Sequence, residues 1–305
     1  MQIQPFFDPR TFTLTFVVYD EETRDAVVID PVLDYNPRSS KLWTESVDAV
    51  IRFIQEEQLN LHFVLETHAH ADHLSGAQRL REAFPKVRTA IGERIIEVQK
   101  IFRHILDLPA DFRDDGSQFD LLLQDGETYR AGSLAFSALS TPGHTPACMS
   151  LRFGDNVFTG DALFHPDVGT GRCDFPGGSS QDLYRSITEV LYTLPDDTVV
   201  WPGHDYPPES RGVRYSAPLA EQMRDNVALP AGTSQEDYTL WRDARDRSLE
   251  APQLLFQSIQ VNVDAGNLPA PSANQKRYLR IPLNVFRPPV PSLETLELST
   301  IDGQN

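Results

Sequence analysis

The stretch Thr67-His68-Ala69-His70-Ala71-Asp72-His73 decides the fold of this chain. It places three of the eight histidines of the 305-residue sequence, together with an aspartate, within six residues. Imidazole and carboxylate groups are common ligands of zinc, iron and similar metals. The preceding segment, His62–Leu65, has the apolar composition of a short buried strand. The stretch therefore predicts a metal-binding loop after a strand, and a polar loop with chance histidines is the competing interpretation.

Three later segments also place a ligand-type residue at the end of a predicted strand. His144 lies in a Pro-Gly turn, Asp161 follows a short apolar run, and His204 comes soon after Trp201. Each signal alone is weak, because Gly-His and Gly-Asp turns are common in loops. Four strand ends that present ligands to one edge of a sheet nevertheless predict a single site built on rigid elements.

The pattern of apolar residues outside these segments predicts the fold class. Thr11–Tyr19 and Ala26–Ile29 have the composition of a strand hairpin. A helix with one buried face is predicted by the i, i+3, i+4, i+7 spacing of Val47, Val50, Ile51 and Ile54. Strands and helices then alternate as far as Trp201. We expect an α+β fold in which two mixed sheets pack face to face with helices outside, a four-layer αββα sandwich.

The character of the sequence changes near Pro207, where prolines begin to recur. We therefore predict a catalytic core over residues 1–206 and a C-terminal extension over residues 207–305 that packs on it. Within the extension we expect helices near 218–227 and 236–248, a strand-like segment over 278–286, and a tail over 287–305.

Composition limits the classes of function. The formal net charge is −17, from 27 Lys and Arg against 44 Asp and Glu, which argues against nucleic acid and anionic membranes as partners. Two cysteines, Cys148 and Cys173, make no disulfide framework and fit a reducing compartment. The sequence has no run of about 18 apolar residues, and Met1–Arg10 lacks the pattern of a secretory signal. We expect a cytoplasmic protein.

The order His68-x-His70-x-Asp72-His73, His144, Asp161, His204 resembles the metallo-β-lactamase superfamily over residues 13–206. Several segments narrow the resemblance to persulfide dioxygenases, the group of the ethylmalonic encephalopathy protein. They are Glu66–Ala77, Gly160–Phe164, Gly171–Gly178, Leu183–Ile187 and Pro202–Tyr206. The late segments Gln260–Val263, Asn267–Pro269 and Tyr278–Asn284 are similar to the bacterial branch of that family.

The resemblance implies an enzyme that oxidises glutathione persulfide with O2 and water to sulfite and glutathione, as in sulfide detoxification. It implies one Fe(II) per chain, held by His68, His144 and Asp161 as the metal-binding and catalytic residues. Two histidines and one carboxylate are the facial triad of non-haem Fe(II) oxygenases. The remaining ligand-type residues would orient the metal ligands and water from outside the coordination sphere; they are His70, Asp72, His73 and His204. A homodimer fits the family.

Three further residues have candidate roles. Arg172 lies in a Gly-rich loop after Asp161 and is predicted to pair with a substrate carboxylate, with a surface ion pair as the alternative. Tyr206 either faces the substrate or packs as an amphipathic aromatic. Asp30 either braces the metal loop or caps a turn.

Two other functions compete with the dioxygenase. A dizinc thioester hydrolase similar to glyoxalase II would use the same residues, with His68, His70 and His144 on one zinc, and Asp161 bridging. The second zinc would take Asp72, His73 and His204. The other competing function is a metal or sulfur carrier that catalyses no reaction. A ligand set with open positions argues against a purely structural metal, because structural metal sites usually have all their coordination positions filled by the protein.

Overall fold

A computed structural model describes residues 1–285 of the chain. Phe286 and the predicted tail, 287–305, lie outside the described residues. Two six-stranded sheets and one three-stranded sheet make up the β-structure of the described part.

The first sheet is formed mainly by the N-terminal strands. Its order is β1 (Gln2–Asp8), β2 (Thr13–Tyr19), β3 (Asp25–Ile29), β6 (Asn60–Leu65), β8 (Arg88–Gly92) and β9 (Leu121–Leu123). The first three strands pair antiparallel and the others pair parallel, so the sheet is mixed. A small sheet beside it has the order β5 (Lys41–Trp43), β4 (Val32–Asn36) and β7 (Leu74–Ser75).

The second large sheet is formed by later strands and is also mixed. Its order is β10 (Thr128–Ala131), β11 (Leu134–Ser140), β12 (Met149–Phe153), β13 (Asn156–Gly160), β14 (Val199–Pro202) and β15 (Ala217–Pro218). Only the β13–β14 pair is parallel. This parallel pairing brings the carboxyl ends of β13 and β14 side by side, ahead of Asp161 and His204.

The helices flank the sheets. They are α1 (Glu45–Glu56), α2 (Ala77–Ala83), α3 (Ile95–Ile105), α4 (Ser180–Arg185), α5 (Leu219–Asp225), α6 (Gln235–Arg247) and α7 (Leu255–Asn262). A π turn and a 3-10 turn extend α4 to Thr193. The predicted apolar face of α1 is buried as expected. No helix among the described residues combines the length and apolar character needed to cross a membrane.

Aromatic side chains fill the space between the two large sheets. Phe16 of β2 meets Phe158 of β13 with ring centroids 5.1 Å apart, and Phe63 of β6 meets Phe136 of β11 at 6.4 Å. All four rings are buried. Burying such a ring contributes about 2–3 kcal/mol relative to leaving it exposed. The predicted packing of two mixed sheets with helices outside is thereby confirmed.

The C-terminal extension differs from the sequence prediction in one respect. The helices expected near 218–227 and 236–248 are present as α5 and α6, but the described residues 278–285 form no strand. Arg280 N–H donates to Gln260 Oε1 and Arg280 O accepts from Gln260 Nε2, both at 3.0 Å. The side-chain amide of Gln260, in α7, thus makes the two backbone hydrogen bonds that a neighbouring strand would otherwise make. The neighbouring Leu283 is 83% exposed, so no sheet or core covers it.

Asp264, just after α7, gives a stability prediction. Burial raises the pKa of Asp264 from 3.8 to about 6. The ionised carboxylate therefore destabilises the fold above pH 6, and this cost disappears below pH 4, where the group is protonated both folded and unfolded. Because the side chain is only partly buried, we expect Asp264→Asn to raise the free energy of unfolding by about 1 kcal/mol at pH 8. Denaturant unfolding should show this gain shrink as the pH falls from 6 toward 4.

Candidate metal centre

Four strand ends supply the candidate metal site. The loops after β6, β11, β13 and β14 carry His68, His144, Asp161 and His204 respectively. His144 Nε2 lies 3.7 Å and His68 Nε2 lies 3.9 Å from Asp161 Oδ2. One ligand atom from each of these three residues lies within 4.8 Å of the other two. The structure therefore brings together the three residues predicted to hold the metal.

These three side chains are buried, and two of them, His68 and Asp161, carry a polar atom that lacks a hydrogen-bond partner in the described part of the chain. His68 Nε2 and Asp161 Oδ1 have none among the described residues. Buried polar atoms are normally paired, so unpartnered donors and acceptors that converge on one point call for an ion or a ligand. Two imidazoles and a carboxylate suit iron or zinc. The residues present thus fit a transition-metal ion.

Neighbouring groups orient the two imidazoles. His144 Nδ1 donates to Arg172 O at 2.7 Å, so the other ring nitrogen, Nε2, is the one that faces Asp161. Thr67 Oγ1 donates to Asp30 Oδ2 and therefore accepts from His68 Nδ1 at 3.0 Å. Burial, followed by nearby histidines, holds the pKa of His68 well below its usual 6.5. Both rings thus present Nε2 to the site.

A second set lies beside the first. Ligand atoms of His70, Asp72 and His73 converge within 4.8 Å of one another. His204 Nε2 lies 3.3 Å from Asp72 Oδ2 and 3.4 Å from Asp161 Oδ1. Burial, with the nearby His70, lowers the pKa of His73 to about 4, so that its ring is neutral near pH 7. All seven ligand-type residues predicted from the sequence therefore surround one site.

His70 also contacts a buried pair of carboxylates. Its Nε2 lies 3.0 Å from Asp30 Oδ1 and 3.4 Å from Glu66 Oε2. Burial opposes a charged ring, but Asp30 and Glu66 outweigh it and raise the pKa of His70 well above 6.5. Thr67 N and Oγ1 both donate to Asp30, so Asp30 does brace the metal loop. Glu66 was not predicted to take part in the site, although a carboxylate directly before the Thr67–His73 stretch was a usable signal.

A cavity of about 840 Å³ opens over the centre. His144, Asp161 and Asp72 lie in its wall, together with both predicted substrate-binding residues, Arg172 and Tyr206. The Tyr206 ring stacks on His204 with centroids 5.5 Å apart. The Arg172 guanidinium makes two 2.6 Å hydrogen bonds to Asp174 and donates to Glu250 O. Arg172 therefore faces the cavity with much of its donor capacity already used.

The two cysteines take no part in the centre. Both thiols are free and buried. Burial raises the pKa of Cys148 to about 12 and also raises that of Cys173. A protonated, buried thiol is neither a good nucleophile nor a metal ligand.

Comparison with known proteins identifies the family. The model of the metallo-β-lactamase superfamily matches residues 9–204, which include all seven ligand-type residues. The chain belongs to the metallo-β-lactamase superfamily. Members of this superfamily bind metal ions, in agreement with the unpartnered histidine and aspartate atoms of the site.

Within the superfamily, the chain has relatives of two kinds. It is 43% identical over 287 residues to a Dictyostelium discoideum protein named glyoxylase B2, covering 94% of this chain and 98% of that protein. It is 34% identical over 272 residues to the Mus musculus persulfide dioxygenase ETHE1, mitochondrial, covering 88% and 91% of the two chains. The crystal structure of ETHE1 from Myxococcus xanthus superposes with a TM-score of 0.70 at 34% identity, covering 88% of this chain and all of that chain. Persulfide dioxygenases and a glyoxylase are thus both homologues.

Proposed function

We propose that this protein is a non-haem Fe(II) persulfide dioxygenase that oxidises glutathione persulfide with O2 and water to sulfite and glutathione. The observation that carries the proposal is the grouping of the ligand atoms. His68, His144 and Asp161 form one compact set, whereas His70 groups with Asp72 and His73 and also with the two carboxylates Asp30 and Glu66. In the dinuclear hydrolase arrangement, His70 would instead bind one zinc together with His68 and His144. The likeness to ETHE1 proteins in sequence and fold supports the same choice.

The donor set matches the chemistry of the proposed reaction. His68, His144 and Asp161 would hold the Fe(II) ion, which would supply the redox chemistry that a reaction of O2 with a closed-shell sulfur anion needs, because that reaction is otherwise spin-restricted. Around this site, His204, Asp72 and Asp161 form a chain of close polar contacts that can hold water. Water is a reactant, because GSSH, O2 and H2O together give GSH and H2SO3.

The walls of the cavity fit the glutathione part of the substrate. Glutathione carries two carboxylates, and a chain of net charge −17 repels anions unless local cations oppose its field. Arg38 and Arg245 line the cavity and are exposed. No carboxylate of the described residues forms an ion pair with either of them. We propose that these two arginines and Arg172 bind the glutathione carboxylates, while Tyr206 closes the wall over His204.

Substitution of Arg245 tests this assignment. We expect Arg245→Gln to raise the KM for glutathione persulfide about 5–10-fold with little change in kcat, because an exposed charge-assisted contact contributes about 1 kcal/mol to ground and transition states alike. Arg130→Gln, on the exposed side of β10, makes the same charge change away from the cavity and should leave KM unaltered. Equal KM values in both variants would remove Arg245 from the substrate site.

A dizinc glutathione thioester hydrolase is the second candidate. The full-length similarity to glyoxylase B2 favours it, and the site holds every residue that two zincs would need. Metal analysis of protein purified without added metal separates the two. About one iron per chain supports the dioxygenase, and two zincs per chain with S-lactoylglutathione hydrolysis contradicts it. The cytoplasmic location, the homodimer and the boundary between residues 206 and 207 stay predictions.

A further inference from the structure

Asn262 connects the C-terminal extension to the metal loop. It is the last residue of α7 and is buried. Its Nδ2 donates to His70 O and to His73 O, each at 2.8 Å, and its Oδ1 accepts from Ser75 N at 2.8 Å. One side-chain amide therefore holds three backbone groups of a loop that lies almost 190 residues earlier in the chain.

The chemistry of these three contacts suits asparagine in one orientation. Two carbonyls need two donors and one N–H needs an acceptor, which is what an amide NH2 and C=O supply. A flipped amide would place oxygen against two carbonyl oxygens and nitrogen against an N–H. An aspartate of the same shape would place a buried carboxylate against two carbonyl oxygens. The contacts therefore depend on the amide itself and not only on its volume.

The metal loop depends on side chains for its backbone hydrogen bonds. Within the described chain, residues 68–73 make no backbone–backbone hydrogen bond outside the helices and strands. Thr67 before them is held by Asp30, and Leu74 and Ser75 after them pair with β4. Between these two anchors, Asn262 binds the carbonyls of His70 and His73. The directions of those carbonyls help to set where the two imidazole rings point.

The helix that carries Asn262 is itself fixed to the core. Leu255, Ile259 and Val263 share an apolar cluster with Ala69 and Ala71 of the metal loop and with residues of α3. The end of α7 is held further by Gln99 Nε2, which donates to Val263 O at 2.8 Å, and by Gln78 Nε2, which donates to Ala265 O at 2.7 Å. Asn262 is thus held on a rigid support, as a group that positions another must be.

We propose that Asn262 is a positioning residue that holds the His68–His73 loop in its metal-binding geometry and makes the C-terminal extension part of the metal centre. The inference rests on the proposed metal site, but it does not depend on which metal or which reaction the site serves. It also gives a role to the segment Gln260–Val263, in which Gln260 holds Arg280 and Asn262 holds the metal loop.

The test compares two amides of the same helix in the full-length protein. Asn262→Ala removes the three contacts to the loop, and the control Gln260→Ala removes the contacts to Arg280 but none to the loop. We expect Asn262→Ala to weaken Co(II) binding about 10–100-fold, the usual effect of removing a group that orients ligands. The visible absorption of bound Co(II) should change, and the amides of residues 68–75 should exchange hydrogen faster. Gln260→Ala should match the wild type in all three measurements.

Wild-type Co(II) affinity, absorption and amide exchange in Asn262→Ala would overturn the proposal. So would equal losses in Gln260→Ala, which would show that any weakening of α7 has the same effect. If Asn262→Ala does not fold, Asn262→Ser keeps one donor and one acceptor and is expected to lie between wild type and a full loss. Failure of the iron-loaded wild type to oxidise glutathione persulfide would refute the dioxygenase and leave these measurements unaffected.

Discussion

Asp161→Ala is expected to remove detectable sulfite formation, a loss of at least about 10³-fold in kcat/KM, beyond the 10–100-fold typical of groups that only orient ligands. Asp161 is the carboxylate of the proposed triad, and its oxygens lie 3.7 Å from His144, 3.9 Å from His68 and 3.4 Å from His204. Alanine leaves two imidazoles and an uncompensated dication. Iron content after purification should fall together with activity.

The matched control for this variant is Asp155→Ala. Asp155 lies in the turn before the same strand, β13, and its side chain is exposed. Asp155→Ala removes one negative charge, as Asp161→Ala does, but it removes no group from the site. Its iron content and sulfite formation should therefore equal those of the wild type. An Asp161→Ala protein that still forms sulfite at the wild-type rate would show that the triad is wrongly assigned.

Asp30→Ala is expected to lower the free energy of unfolding by about 3–5 kcal/mol, the usual cost of removing one partner from a buried ion pair. Asp30 and His70 are both fully enclosed, with Nε2 and Oδ1 3.0 Å apart. Asp30 also accepts from Thr67 N and Oγ1, and both donors would lose that partner. The charge on Asp30 favours a charged His70, whose pKa is raised well above 6.5. Denaturant unfolding of the metal-free protein measures the effect.

An exposed ion pair provides the control for Asp30. Glu82 pairs with Arg79 at 3.2 Å, and its side chain faces solvent. Surface pairs contribute about 0–1 kcal/mol, so Glu82→Ala should cost less than about 1 kcal/mol. Similar costs in the two variants would mean that the cluster of Asp30, Glu66 and His70 adds nothing beyond an ordinary surface pair.

The sequence predicts the sandwich and the ligand positions because both follow from local patterns. Apolar runs indicated the strands β6, β11, β13 and β14, and each run is followed by a loop that carries a ligand-type residue. Adding His144, Asp161 and His204 to the histidine run was enough to infer one site. The structure differs in one respect from a single sheet edge, because the histidine run follows β6 of the first sheet, whereas the other three residues follow strands of the second sheet. The geometry confirms that these side chains converge.

Contacts between segments that are distant in the chain leave no local pattern in the sequence. Asn262 lies near the end of an ordinary apolar run, and its partners in the metal loop lie almost 190 residues away. The alternation of apolar residues over 278–285 favours a strand, but no strand lies beside it, and a glutamine side chain satisfies Arg280 instead. Such features depend on which elements meet in space, and a single sequence does not give that information.

Oxygen uptake by the iron-loaded protein with glutathione persulfide tests the proposed function most directly. We expect that one O2 is consumed for each sulfite formed, that glutathione appears in the same amount, and that Asp161→Ala shows neither uptake nor sulfite. An iron-replete, reduced protein that consumes no oxygen, while a two-zinc form hydrolyses S-lactoylglutathione, would contradict it.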